Sequence, residues 1–207
     1  MMESNRRQVR AEKAQWRERF RTTRLELTPE ARQAASEAIA IRIQTLPEWD
    51  AARTVALYWP ILVRGEVDTR PLLDALATSG RIAAFPVVTS TDPPALTFRQ
   101  LEPGQKWVTG RWGLMEPPET APEIAPDDLD LVIVPAFGAG RNGARIGHGG
   151  GFYDAFLPTT TAARVGVVYA SCLTDHVPSE PHDAALDVLV TEREAVRVPR
   201  NPVVSGP

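Results

Sequence analysis

Val9, Trp16 and Phe20 fall on one helical stripe with charged residues between them, which predicts a helix over residues 4–25. Lys13 and Arg17 are four positions apart and share a face of it. Thr28-Pro29-Glu30 reads as a second helix start: a hydroxyl cap, a proline in the first turn and an acid at the positive end. That helix runs to about Leu46 and stops before Pro47. At 54–59 the pattern becomes a continuous apolar run closed by Pro60, the mark of a buried strand. Residues 68–79 form a helix capped by Asp68 or Thr69, with Pro71 in its first turn and Gly80 as its stop. Further strands are expected at 81–88, at 96–99 nearer an edge, at 131–134, at 164–169 and at 188–190, with a helix from about Gly151. Residues 115–128, rich in proline and acid, should be a surface loop. Residues 199–207 should be a frayed tail, which leaves one domain over 1–198.

Strands that alternate with helices, and that are apolar at nearly every position, imply an α/β fold. The expected architecture is three-layer, a mostly parallel, Rossmann-like sheet with helices on both faces. Ligands of such sheets collect at the carboxyl ends of the strands. Loops 59–68, 135–150 and 170–183 begin at such ends, so they are expected to converge on one cleft.

Bulk composition narrows the function classes. A chain of 207 residues suits one domain with a sizeable core. The net charge of −3 implies neither a nucleic-acid surface nor a membrane surface, and no apolar run is long enough to span a bilayer. The arginine-rich start lacks a signal-peptide core, and Glu3, Glu12 and Glu18 argue against a transit peptide. One cysteine, Cys172, excludes an internal disulfide and suits a reducing cytoplasm. Arginine dominates the bases: Lys13 and Lys106 are the only lysines. A monomer is expected.

The chemistry concentrates in Arg141-Asn142-Gly143-Ala144-Arg145-Ile146-Gly147-His148-Gly149-Gly150-Gly151-Phe152-Tyr153-Asp154, between a strand and a helix start. Glycines let the backbone approach a ligand closely, and a helix N-terminus offers unpaired N–H groups and a positive dipole end. Arg141 and Arg145 add forked donors suited to phosphate, and Asp154 is placed to hold magnesium. The segment lacks the Gly-Lys-Ser/Thr of the common phosphate loop, and its glycines are too closely spaced for a dinucleotide fingerprint.

The whole combination resembles the signature of the 5-formyltetrahydrofolate cyclo-ligase family, and other short motifs follow in the same order. Lys13-Ala14-Gln15-Trp16-Arg17 is similar to that family's nucleotide-binding helix, although taken alone it is also an ordinary solvated face. Tyr58-Trp59-Pro60, with Glu66-Val67-Asp68-Thr69 after a longer spacer, is similar to the context in which a family glutamate binds the pterin. Trp112-Gly113-Leu114-Met115-Glu116-Pro117 resembles another family element, with Trp112 walling the cleft and Glu116 structural. Pro181-His182-Asp183, followed by Asp187, matches a segment carrying a second magnesium carboxylate; a plain turn cap is the alternative for Asp183.

The resemblance implies an enzyme that uses ATP and magnesium to convert a reduced folate, 5-formyltetrahydrofolate, to its 5,10-methenyl form. Arg145 becomes the catalytic cation. ATP would be held by Lys13, Arg17, Arg141, Arg145, Ile146, Gly147, His148, Gly149, Gly150, Gly151, Phe152 and Tyr153. Folate would meet Trp59, Glu66, Trp112, His148, Gly149, Gly150, Gly151 and Phe152. Magnesium would fall to Asp154 and Asp183. His148 reads as lining rather than as a required base. Two other classes stay open: a paralogue keeping the nucleotide site but acting on another substrate or regulating, and a nucleic-acid module built on the basic first helix, for which no recognition motif exists. A zinc site from His148, His176 and His182 lacks any ligand-spacing signature.

Overall fold

The computed structural model describes the backbone of residues 2–102 and 105–199, and side chains from residue 6 onward. The chain runs through α1 (Met2–Glu26), α2 (Pro29–Ile43), α3 (Pro47–Ala51), β1 (Thr54–Ala56), α4 (Arg70–Thr78), β2 (Ile82–Thr91) and β3 (Pro94–Gln100). It continues through β4 (Val108–Thr109), β5 (Met115–Glu116), β6 (Glu123–Ile124), β7 (Leu131–Pro135), β8 (Gly138–Gly140) and β9 (Arg145–Ile146). It ends with α5 (Phe152–Phe156), β10 (Ala163–Val167), β11 (Leu173–Thr174), β12 (Val188–Val190) and β13 (Ala195–Arg197).

One eight-stranded sheet carries the order β13-β12-β10-β7-β1-β2-β3-β6. Its centre is parallel: β12 with β10, β10 with β7, β7 with β1, and β1 with β2. Antiparallel strands close both sides, β13 on one and β3 with β6 on the other. Alternation along each central strand feeds two separate cores. Val55, Leu131, Ile133, Val165, Val167, Val188 and Val190 face a layer built from Ile39 and Ile43 of α2, Trp49 of α3, and Leu72 and Leu76 of α4. Ala56, Ala84, Val132, Val134 and Leu189 face the opposite layer, with Phe20 of α1 and Phe156 of α5. This is the three-layer, Rossmann-like arrangement expected, and it explains why the strands are apolar without a break. Among the described residues no helix is long and apolar enough to cross a membrane.

Local signals worked where their chemistry is direct. The Thr28 hydroxyl accepts from the Ala31 N–H at 3.2 Å, and Gly80 takes a φ of +66° just beyond α4. At the start of α4, Thr69 holds the cap position with its hydroxyl turned to the Tyr58 carbonyl, and it is Asp68 Oδ1 that accepts from the Arg70 N–H at 3.0 Å. Other expectations need correcting. α2 ends at Ile43, and Pro47 opens a further short helix instead of merely stopping the previous one. The 96–99 strand is part of a longer hairpin, β2–β3, and is penultimate because two residues of the expected surface loop, Glu123–Ile124, add an edge. Residues 195–197 add a strand beyond the one expected to be last. Apart from Pro199, the expected tail lies outside the described residues.

The largest correction concerns the glycine segment. It is not a single loop between strand and helix. β8 and β9 pair as a small hairpin, joined on its other side by β11, and the cradle proper begins only after Ile146. Helix α1 lies against this hairpin. A Cβ on Gly138 would stand 2.4 Å from Cδ2 of the buried Phe20, so the hairpin backbone and the α1 ring are in direct contact. Gly138→Ala should therefore cost about 1–3 kcal/mol of stability by overpacking, read as a lower midpoint in denaturant unfolding. A wild-type midpoint would mean that α1 can lift from the hairpin without penalty.

Candidate active site

The loop after β1 is pinned from below by three buried hydroxyls. Tyr58 donates to the Val67 carbonyl at 2.9 Å, Thr69 to the Tyr58 carbonyl at 2.6 Å, and Tyr169 to the Glu66 carbonyl at 3.2 Å. A short 3₁₀ turn at Leu62–Arg64 then closes on Gly65, whose φ of +67° suits glycine. Together these hold Glu66 at 6% exposure. Its Oε2 accepts from the Ile61 N–H at 2.7 Å, and its Oε1 lies 3.1 Å from Nε2 of His148. Behind the loop sits Arg24, a buried cation of α1. It donates to the carbonyls of Arg64 at 2.9 Å and Ala136 at 3.3 Å, and lies 4.2 Å over the Phe137 ring. Burial lowers the Arg24 pKa, and the charge of Glu66 opposes that shift.

The glycine segment forms the other wall. Arg17 donates from Nε to the Gly147 carbonyl at 2.8 Å, and its guanidinium would be 3.2 Å from a Cβ on Gly149. A side chain there would collide with a charge that must lie flat on the loop. Around the would-be Cβ of Gly147 the space is open. Arg145 reaches in from β9, only 7% exposed. It donates to the Ala184 carbonyl and, at 2.7 Å, to Oδ1 of Asp154, which also accepts from the Ala184 N–H at 3.1 Å. Helix α5 is only five residues long, so its dipole is weaker than a full helix would give, and the positive character of this wall comes chiefly from side chains and loop N–H groups.

Lys13 ends between two carboxylates. Its Nζ lies 2.6 Å from Asp183 Oδ2 and 3.0 Å from Glu180 Oε2. The hydrogen bond from Lys13 holds the Glu180 carboxyl below its usual range. Glu180, His182 and Asp183 could each offer one ligand atom to a cation, all within 4.8 Å of one another. Aromatic residues shape the rest. Trp59 packs against Trp107 with ring centroids 4.3 Å apart. Trp112 stands at the rim, 61% exposed, with left-handed backbone at φ +55°, and meets the edge of Phe152 at 5.9 Å. Glu116 accepts from the Val88 N–H at 3.3 Å, packs where a Gly110 Cβ would be, and also lines the cleft. The buried Tyr153 hydroxyl has no partner among the described residues, and burial raises its pKa.

These walls enclose a cleft of about 830 Å³ at the carboxyl ends of the parallel strands. Lys13, Arg17, Trp59, Glu66, Trp112, Arg145 to Asp154 and Asp183 all line it. Arg141 does not. It sits in the β8–β9 turn, exposed, and its guanidinium grips Glu194 at 2.5 and 2.9 Å. The hairpin explains this: Arg141 lies in the turn that precedes β9, whereas Arg145 is the first residue of β9 and lines the cleft. Cys172 is buried, and burial pushes its thiol up to about 11, which fits a packing role.

Sequence reading passed over two residues. Arg24 continues the stripe of Phe20 by one turn, and an arginine on an otherwise buried stripe was the available signal. Glu180 lies three residues before Asp183, and its pairing with Lys13 has no local signature.

Comparison with known proteins agrees with this geometry. The profile of the 5-formyltetrahydrofolate cyclo-ligase family matches residues 9–192. The 5-formyltetrahydrofolate cyclo-ligase of Escherichia coli K12 is 32% identical over 176 residues, 83% of this chain and 96% of that protein. The Mycolicibacterium smegmatis protein of the same name is 35% identical over 152 residues, 70% of this chain and 77% of that one. The solution structure of Aquifex aeolicus 5,10-methenyltetrahydrofolate synthetase superposes with a TM-score of 0.80 at 29% identity, covering 94% of this chain and 96% of that one. With a match that spans both walls of the cleft, the chain belongs to the 5-formyltetrahydrofolate cyclo-ligase family.

Proposed function

We propose that this chain closes 5-formyltetrahydrofolate to 5,10-methenyltetrahydrofolate, converting ATP to ADP and phosphate with magnesium. The observation that carries the reading is the polarity of the cleft. One end holds a buried carboxylate, Glu66, and the other holds Lys13, Arg17 and Arg145 around a glycine loop. A molecule with a donor-rich pterin at one end and a phosphate acceptor near its middle matches both ends at once.

The residues fit a triphosphate. Open space at Gly147 and a guanidinium lying flat at Gly149 leave loop N–H groups free to approach phosphate oxygens. Magnesium, when bound, neutralises phosphate charge, and Asp154 and Asp183 are the carboxylates suited to hold it. A formamide oxygen is a poor leaving group. Phosphoryl transfer to it makes a good one, N10 attacks the activated carbon, the ring closes and phosphate departs. Arg145, preorganised by Asp154 and the Ala184 carbonyl, is placed to stabilise charge on the transferring group. Glu66 accepts from the pterin amino group and ring N–H, while Trp59 and Trp112 supply apolar contact to flat rings. Holding N5 and N10 together is positioning, which the fixed loop beneath Glu66 serves. The test is formation of the methenyl product, followed by its absorbance: it should require both ATP and magnesium, and its absence with both present would reject the reading.

Two substitutions probe the two ends. Arg145→Ala should lose on the order of 10²–10³ in turnover with the fold retained, and near-normal turnover would remove Arg145 from the reaction. Glu66→Gln should separate the ends. The amide oxygen can still accept from Ile61, so the loop is kept, but the amide nitrogen presents a donor to donors. Folate affinity should fall by up to about 10⁴-fold while nucleotide affinity stays near wild type, each read by calorimetry. Joint loss of both affinities would make Glu66 a structural residue.

A further inference from the structure

The partner of Glu66 is the feature that the proposed reaction leaves unexplained. A carboxylate that reads an amino group and a ring N–H as a fork needs both oxygens facing the ligand. In this structure neither is free. Oε2 accepts from the Ile61 backbone, and Oε1 faces the His148 imidazole at 3.1 Å. The backbone bond can remain when a ligand enters, because a carboxylate oxygen accepts twice. The imidazole, which lines the cleft itself, stands beside Oε1 where a donor approaching from the cleft would come in.

The two partners differ in freedom. The Glu66 side chain is 6% exposed, whereas that of His148 is 38% exposed. His148 rests against the Phe137 ring at a centroid distance of 4.5 Å, a contact that offers no hydrogen bond to replace. Its neighbours are both glycines, Gly147 with open space at its Cβ position and Gly149 at a φ of +90°. The imidazole is therefore the group that yields.

We infer that His148 is an internal competitor for the folate-recognising carboxylate, so that folate binding in this chain requires displacement of the imidazole and weakens as pH falls. The inference rests on the proposed function for the identity of the ligand. Protonation makes the imidazole a cation, and at 3.1 Å from Oε1 it then forms an ion pair with the Glu66 carboxylate that a ligand has to break. The charged groups that face His148 are Glu66 directly, Arg64 in the same loop, Arg17 of α1 at Gly147 and Gly149, Arg24 of α1 behind Phe137, and Arg145 with Asp154 across the cleft. Imidazole is the side-chain group that ordinarily gains charge as pH falls through neutrality.

Calorimetric titration with 5-formyltetrahydrofolate at pH 6 and pH 8 tests this. Wild-type protein should bind roughly fivefold more weakly at pH 6 than at pH 8, the scale of a part-exposed ion pair. In His148→Ala and His148→Gln the two affinities should agree, and His148→Ala should bind more tightly than wild type at pH 6. In a Glu66→Gln background, His148→Ala should change nothing, because the group competed for is gone. A pH-independent wild-type affinity, an unchanged pH ratio in both variants, or a loss of affinity in His148→Ala at both pH values would overturn the inference. Formation of methenyl product alongside any of those results would leave the proposed reaction standing, and absence of folate binding by the wild type would overturn both.

Discussion

Phe20 rests on the backbone of Gly138 where no side-chain carbon could stand, and the site depends on that contact. Helix α1 is rich in charge and has little apolar surface of its own with which to dock. Its anchor is one buried ring, aided by Trp16 at 5.1 Å and by the covering of Cys172. From that anchor, Arg17 and Lys13 lie one and two turns toward the end proposed for phosphate, and Arg24 lies one turn the other way, beneath the Glu66 loop. The spacing 13, 17, 20, 24 places all four on one face. A single helix face thus sets the distance between the two ends of the cleft.

The cleft satisfies its own charges. Lys13 lies with Asp183 and Glu180, Arg145 with Asp154, and Glu66 with His148. A buried charge without a partner would cost several kcal/mol, so on the proposed function a site for phosphates and a pterin must hold substitutes for them. Each internal partner fixes a side chain in the geometry a ligand meets, which removes ordering cost at binding. Each also has to give way or be shared, which lowers affinity. The balance differs across the cleft. Arg145 and Asp154 are locked by Ala184 from both its carbonyl and its N–H, so this pair is a fixed unit. The Glu66–His148 pair has one fixed member and one loose one.

The fold was legible because its cause is periodic. Unbroken apolar runs such as Leu131–Pro135 require burial on both faces, and two opposed cores are the consequence. Caps with a chemical signature, Thr28 and Gly80, were legible for the same reason. What escaped was non-local. Nothing between Pro135 and Gly147 distinguishes a glycine loop from a glycine-rich hairpin, because the small sheet that holds the β8–β9 pair is completed by β11, some thirty residues later. That missed hairpin is why Arg141 and Arg145 seemed equivalent in sequence and lie apart in space. The expected site residues that do line the cleft, such as Lys13, Glu66 and Arg145, were found through motif resemblance. Their partners, Glu180 for Lys13 and Arg24 for the Glu66 loop, were not, because a buried pair between distant segments leaves no local pattern.

The short α5 bears on how such a loop handles phosphate. A long helix would supply a dipole and a row of aligned N–H groups, but five residues supply little of either. The structure instead brings three cations from two directions, Lys13 and Arg17 from α1 and Arg145 from β9, onto glycines that leave the backbone accessible. Arg17 binds the Gly147 carbonyl, so the same guanidinium that offers charge also fixes the loop's shape. Charge delivered by side chains can be redistributed when ligands exchange, whereas a helix dipole cannot. For the proposed reaction, in which charge would move from a nucleotide to a second substrate and leave as phosphate, a cation such as Lys13, held by replaceable partners, suits the changing charge, with the fixed Arg145–Asp154 unit as the constant point beside it.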